Sequence, residues 1–139
     1  MIKLSKLTDY AVIILGAMAE GGEAQQTASG LSAKTGLPEP TVAKVLKLLA
    51  RGSLIASSRG VNGGYRLAKE PKDISMASVI VALEGPVQLT SCVDGQHEGC
   101  AHSAACTMKG KWDPVNAAMQ KALEDVSLAQ MIQAAGARA

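Results

Sequence analysis

The stretch TGLPEPTVAKVLKLLAR, residues 35–51, decides the fold. Its first four residues, 35–38, predict a tight turn, and Pro40 suits the first position of a helix, where a missing N–H costs nothing. The apolar residues that follow have the 3.6-residue period of a helix that packs by one face; they are Val42, Val45, Leu46, Leu48 and Leu49. A helix that follows such a turn is typical of the second helix of a helix-turn-helix.

The sequence on either side of this stretch supplies the other parts of that fold. Upstream, Thr27 is predicted to cap a short helix that reaches Lys34, and Thr8 to cap a helix from Tyr10 to Glu20. Downstream, residues 54–58 and 65–67 read as two short strands joined by a glycine-rich tip. A hairpin directly after a helix-turn-helix is a wing.

Two further helices are predicted beyond the wing. Asp73 or Ser75 would cap a helix from Met76 to Leu83, which Glu84-Gly85-Pro86 would end. The last helix should run from Asp113-Pro114 to about Ala134. Its apolar stripe is broader than a small winged domain can cover, which predicts a dimer seam; it comprises Val115, Ala118, Met119, Ala122, Leu123, Val126, Leu128 and Met131.

The predicted fold class is therefore mainly α with a small β wing: a winged helix-turn-helix plus a long C-terminal dimerisation helix. We expect residues 1–83 to form the winged helix-turn-helix domain and residues 84–110 a cysteine-rich loop. Residues 111–139 would form the dimerisation helix and a tail.

Charge restricts how such a chain could bind nucleic acid. The net charge is only +2, so binding must rest on a local patch. Lys44, Lys47 and Arg51 share the face opposite the apolar stripe, with Thr41 on the same helix, and a cationic face suits phosphates and base edges in a major groove. The alternative is an ordinary solvated helix face. The preceding turn and the following wing favour double-stranded DNA.

The tip of the wing is a second candidate contact with DNA. Arg59 on a narrow hairpin suits insertion into a minor groove, where negative potential is focused. Gly60 can take positive φ values and allow close approach of another backbone, and Asn62 lies in the same tip. The alternative is a plain surface hairpin with a solubilising arginine.

Cys92, Cys100 and Cys106 are the only cysteines of the chain, and they lie within fifteen residues in a loop of small and polar residues. Thiolates select zinc, copper(I) or iron–sulfur centres, and an odd number excludes a full set of internal disulfides. His97 or His102 could complete a four-ligand site. The alternatives are free thiols, or one disulfide with a spare thiol.

Other function classes find no support in the sequence. It has no phosphate-binding loop, no nucleotide-binding glycine fingerprint and no Gly-x-Ser-x-Gly, so we expect no enzymatic activity and no small-molecule substrate. No apolar run is long enough to cross a membrane. We expect a cytoplasmic protein with no membrane partner, in a compartment where clustered thiols stay reduced.

Three motifs in a fixed order carry a family resemblance that spans nearly the whole chain: KLTDYAV at residues 6–12, RGVNGGYRL at 59–67, and EGP at 84–86 just before the cysteines. The chain resembles the winged-helix iron–sulfur transcription regulators that include IscR, the SUF-operon regulators, RirA and NsrR. The resemblance implies a homodimer joined by its C-terminal helices, a palindromic operator, and a cluster that tunes DNA affinity.

The resemblance also implies roles for individual residues. Cys92, Cys100 and Cys106 match the cluster cysteines and Arg59 the wing arginine, while Pro38, Pro40 and Thr41 fall where family members contact bases. Lys109 stands where IscR-type members have a fourth, histidine ligand. Asp9 matches the aspartate that NsrR-like members donate across the dimer to a [4Fe–4S] cluster, which favours [4Fe–4S] over [2Fe–2S] here.

The function that follows is an iron–sulfur-sensing DNA-binding regulator, a repressor of iron–sulfur assembly or iron-homeostasis genes. Three alternatives stay open. They are a nitric-oxide-sensing repressor of the same family, a zinc-binding structural DNA module, and a metal-free thiol redox switch.

Overall fold

The computed structural model of the chain describes residues 3–61, 63–90 and 110–136. In these ranges the chain forms six α-helices, a two-stranded antiparallel sheet and a short 3-10 helix, Pro71–Asp73. The helices are α1 Lys6–Glu20, α2 Ala28–Thr35, α3 Glu39–Arg51, α4 Met76–Glu84, α5 Asp113–Asp125 and α6 Leu128–Gly136; the strands are β1 Ile55–Ser58 and β2 Gly64–Leu67. The predicted mainly-α fold with a small β wing is confirmed.

The helix-turn-helix forms as its local sequence predicts. Thr27 caps α2 by accepting a hydrogen bond from the Gly30 N–H at 3.0 Å. Gly36 ends α2 with a φ of 78°, a left-handed conformation that favours glycine. Helix α3 then begins at Glu39, so Pro40 occupies its second position and not the predicted first. Either position tolerates proline, because the first N–H groups of a helix have no partner within it.

The start of α1 differs from the prediction. Thr8 does not cap this helix, because Ser5 does: the helix begins at Lys6, and the Ser5 hydroxyl accepts a hydrogen bond from the Thr8 N–H at 3.2 Å. Thr8 instead lies in the first turn with only 1% of its surface exposed. Its hydroxyl donates to the Glu84 carboxylate, a partner that the local sequence did not reveal.

Backbone hydrogen bonds hold the wing against the helix-turn-helix. In the hairpin, Ile55 pairs with Leu67 and Ser58 with Gly64. Gln26, just before α2, exchanges two backbone hydrogen bonds of 2.8 Å with Tyr65. Gly64 allows this approach, since a Cβ there would lie 2.9 Å from the Gln26 carbonyl oxygen. The hairpin therefore has a fixed position beside the start of α2.

One hydrophobic core joins the helices. Helix α3 contributes four fully buried side chains to it, and α1, α2, α4 and the start of β1 pack around them. The fully buried set includes Ala11, Ile14, Leu15, Leu31, Val42, Val45, Leu46, Leu49, Ile74, Val79 and Leu128. No helix among residues 3–61, 63–90 and 110–136 is long and apolar enough to cross a membrane.

The C-terminal helix is not continuous, contrary to the prediction of one helix to about Ala134. Helix α5 ends at Asp125, and α6 begins at Leu128. The Met76 N–H donates to the Val126 carbonyl and the Leu128 N–H to the Ile74 carbonyl, each at 2.8 Å, so this segment pairs with the chain before α4. Ser127 then accepts from the Gln130 N–H at 3.2 Å and starts α6. The division of the chain into three parts stays a prediction.

Candidate functional site

The outer face of α3 carries the cationic side chains that the sequence predicted. Because Val42, Val45, Leu46 and Leu49 are fully buried, the opposite face of the helix points to solvent. Pro40, Lys44, Lys47 and Arg51 are exposed on it, and Thr41 is half-buried at its side. In the described parts of the chain the ion pairs are Lys72–Glu70 and Lys121–Asp125. The ammonium groups on α3 are thus available to an external anion.

Arg51 differs from the lysines in its surroundings. It lies at the last residue of α3 and borders a cleft of about 680 Å³ between α3, α4 and α5, with Leu48, Val81, Gln120 and Glu124. Lys44 and Lys47 do not line this cleft. Lys44 and Lys47 therefore form the centre of the cationic face, and Arg51 its far end.

The wing places Arg59 next to the start of α2. Arg59, Ser58 and Thr27 line one surface hollow of about 400 Å³. Gly60 has a φ of 109°, so the predicted positive φ is confirmed, and Val61 beyond it is fully exposed. Arg59 is exposed, while Asn62 lies outside the described residues. The structure thus brings the wing arginine and the first helix of the helix-turn-helix to one surface.

The predicted metal ligands are only partly described. Cys92, Cys100 and Cys106 lie outside the described residues, as do His97, His102 and Lys109. Among the residues that are described, no three histidine, cysteine or acidic side chains gather where they could hold a metal ion. Asp9 is exposed on α1 and borders an apolar groove.

That groove has a volume of about 590 Å³ and lies between α1, α4 and the C-terminal helices. Its walls are mostly apolar, and several of them are large side chains with substantial exposure: Leu4 (52%), Met131 (39%) and Val126 (37%). Leu123, which the sequence predicted for the dimer seam, lies in the same groove. The Asp9 carboxylate sits at the edge of this surface, where none of the described hydrogen bonds or ion pairs engages it.

Two polar contacts of residues 84–89, which precede the cysteines in the sequence, were not predicted from the sequence pattern alone. Thr8 donates to Glu84, the last residue of α4, at 2.7 Å. Asn116 on α5 is 1% exposed and bonds to the backbone of Val87 and Leu89. A signal for the second existed: Asn116 lies three and seven residues before Met119 and Leu123, in phase with the apolar stripe, where a polar side chain needs a buried partner.

A helix-turn-helix with an exposed cationic second helix, followed by a hairpin with an arginine near its tip, defines a winged-helix DNA-binding protein. Comparison with known proteins agrees with this class and makes it more specific. The chain belongs to the Rrf2 family of iron-dependent transcriptional regulators, whose sequence pattern matches residues 4–134.

Individual relatives carry regulator names as well. The chain is 28% identical over 132 residues to the HTH-type transcriptional regulator IscR of Aliivibrio salmonicida, covering 94% of this chain and 77% of that one. It is 33% identical over 89 residues to NsrR of Shouchella clausii, covering 64% and 60%. Its fold matches the solved structure of T. potens IscR with a TM-score of 0.69 and 27% identity, over 96% of this chain and 88% of that one.

Proposed function

We propose that this transcriptional regulator senses an iron–sulfur cluster and represses iron–sulfur assembly or iron-homeostasis genes. The observation that carries the proposal is that a single chain combines a cationic DNA-binding surface, on α3 and the wing, with a segment that contains three cysteines. Helix α3 and the wing present exposed cations, and the first of the three cysteines follows the last residue of α4 by eight positions in the sequence. The names and pattern of the relatives support the same function.

The DNA-binding step uses charge and shape. Lys44 and Lys47 would neutralise phosphates beside the major groove that α3 enters, with Pro40 and Thr41 at the end of the helix nearest the bases. Arg59, supported by the backbone turn at Gly60, would enter the adjacent minor groove. Arg51 would add a phosphate contact at the outer end. Each phosphate neutralised makes binding more sensitive to salt.

Binding of a palindromic operator requires two copies of this surface. The apolar groove between α1 and the C-terminal helices, together with Val115 exposed to 45% on α5, is a surface suited to a second copy of the chain. A two-fold dimer would place two α3 helices on two half-sites.

The donor set suits an iron–sulfur cluster. Cys92, Cys100 and Cys106 supply three soft thiolates, and the exposed Asp9 carboxylate, free of the described internal contacts, supplies a fourth donor from the second copy. We propose a [4Fe–4S] cluster rather than a [2Fe–2S] one, in keeping with the aspartate. Such a cluster, when bound, supplies sensitivity to iron supply, oxygen and nitric oxide. Asp9 lies on α1, which packs on α2 and α3. A bond between Asp9 and the cluster would therefore influence the helix-turn-helix that binds DNA.

Anaerobic purification tests this proposal. We expect a brown protein with visible absorption, stoichiometric iron and sulfide, and loss of colour on exposure to oxygen. Substituting Ala for Cys92, Cys100 or Cys106 should each abolish or greatly weaken retention of the cluster, whereas His102→Ala is the matched control and should not. Full cluster content in Cys100→Ala would show that Cys100 is not a ligand. A colourless wild-type protein with bound zinc would contradict the proposal and favour a zinc-binding structural DNA module.

Nitric oxide is a second candidate signal, and the similarity to NsrR is the observation that favours it. An oxygen ligand from Asp9 would be the bond most readily exchanged for an incoming diatomic molecule. Asp9→Ala should then keep a cluster but make it more labile and uncouple its loss from DNA affinity, as measured by operator gel shifts with and without nitric oxide. If Asp9→Ala releases the operator at the same concentration of nitric oxide as the wild-type protein, Asp9 does not couple the cluster to DNA binding.

A further inference from the structure

Two buried polar side chains in the described part of the chain hold the same short segment. Thr8 and Asn116 are each 1% exposed, and both form hydrogen bonds with residues 84–89, which lead from α4 toward the cysteines. Buried polar groups are destabilising unless they are hydrogen-bonded. Both side chains therefore tie the protein interior to this segment.

Asn116 fixes the far end of the segment against α5. Its Oδ1 accepts a hydrogen bond from the Leu89 N–H at 2.8 Å, and its Nδ2 donates to the Val87 carbonyl at 2.9 Å. One amide thus pairs with two backbone groups two residues apart, as a neighbouring strand would. Only a side chain with both a donor and an acceptor can do this.

Glu84 fixes the near end against α1. The Thr8 hydroxyl donates to Glu84 Oε2 at 2.7 Å, and the Ser5 N–H approaches Glu84 Oε1 at 3.3 Å. A carboxylate at the N-terminus of a helix, here α1, also interacts favourably with the helix dipole. The segment is consequently held at one end by α5 and at the other by the first turn of α1, beside Asp9.

We propose that Asn116 is a positioning residue for the cysteine ligands, an inference that rests on the proposed cluster. Cys92 follows Leu89 by three positions, and three residues of chain span at most about 11 Å. Anchoring Leu89 on α5 therefore restricts where the first thiolate can lie. Loss of the anchor leaves the thiolates intact but makes the arrangement that binds the cluster less populated.

The test compares three variants, each purified and loaded without oxygen as the full chain. Asn116→Leu is close in size and removes both hydrogen bonds, and Asn116→Asp keeps the acceptor but sets a carboxylate oxygen against the Val87 carbonyl. Gln120→Leu is the matched control, because it also replaces an amide side chain by leucine, one turn later on α5 and at an exposed position. The readouts are the rate of cluster loss to an iron chelator and the amide hydrogen exchange of residues 87–92 in the cluster-free protein.

We expect Asn116→Leu to lose its cluster at least about tenfold faster than wild type, because both buried hydrogen bonds of the side chain are lost, with faster exchange at residues 87–92 and an unchanged Gln120→Leu. If Asn116→Leu does not fold, Asn116→Asp must show the same two changes. Wild-type retention and wild-type exchange in both Asn116 variants would overturn the positioning role and leave the proposed function standing. A wild-type protein that takes up no iron and sulfide would overturn both the positioning role of Asn116 and the proposed function. The wild-type sample alone reveals this outcome, so the two failures can be told apart.

Discussion

Replacing Leu128 by alanine tests whether α6 belongs to the core of the winged domain. Leu128 is fully buried, and its own N–H donates to the Ile74 carbonyl at 2.8 Å. The substitution removes three carbon atoms from the hydrophobic core to which Ile14 and Val79 also belong. The backbone hydrogen bonds remain, so the effect isolates the packing of one side chain.

The expected loss of unfolding free energy is about 3 kcal/mol. Buried leucine-to-alanine substitutions cost about 2–5 kcal/mol, because the transfer of the apolar atoms is lost and a cavity remains. The middle of that range applies because α6 is a short helix of nine residues, which can relax in part toward the cavity. Against a total stability of about 5–15 kcal/mol, this loss should lower the melting temperature by roughly 10 °C.

Urea denaturation of the cluster-free protein, followed by helical circular dichroism at one fixed protein concentration, measures this loss. The fixed concentration matters because dimerisation adds to apparent stability. Val61→Ala is the control, since Val61 is fully exposed and its truncation leaves no cavity. A loss below about 1 kcal/mol for Leu128→Ala, in the range of surface substitutions, would refute the burial of Leu128 in the core of the winged domain.

Other substitutions test the remaining contacts. Thr8→Val should cost about 1.5–3 kcal/mol in the same denaturation assay, because it removes a hydrogen bond to a carboxylate, and it should cost clearly less in a Glu84→Ala background, where that acceptor is gone; two fully additive losses would mean that the pair does not interact. Lys47→Ala should weaken binding to all DNA sequences and lower the salt slope by about one, and an unchanged slope would remove Lys47 from the phosphate contacts. Leu123→Asp should give monomers in sedimentation, and a stable dimer would place the seam elsewhere.

The sequence predicted those parts of the fold whose causes are local. The apolar period of α3, the cap at Thr27 and the glycine at residue 36 each act within a few residues, so the helix-turn-helix could be placed with small errors such as the position of Pro40. The wing followed from strands flanking a glycine-rich tip. The cationic face of α3 could also be predicted, because a helix places residues three and four apart on the same side.

The contacts that the sequence did not reveal join residues far apart in the chain. Thr8 and Glu84 are 76 positions apart, and Asn116 bonds to residues 27 and 29 positions away. No local pattern distinguishes a threonine that caps its own helix from one that is bonded to another helix, so Thr8 was assigned to the wrong role.

The end of α5 shows most clearly what the sequence determined and what the tertiary structure decided. The apolar stripe continues in phase through Leu128 and Met131, so the sequence by itself determined that this face is apolar and helical. The pair Ser127 and Gln130, which exchange hydrogen bonds between side chain and backbone, is a local signal for a new helix start that the sequence contained. Only the tertiary structure supplies the backbone pairing of Val126 and Leu128 with the chain on either side of Ser75. Those two hydrogen bonds and the burial of Leu128 hold the break in place, and nothing within that turn encodes them.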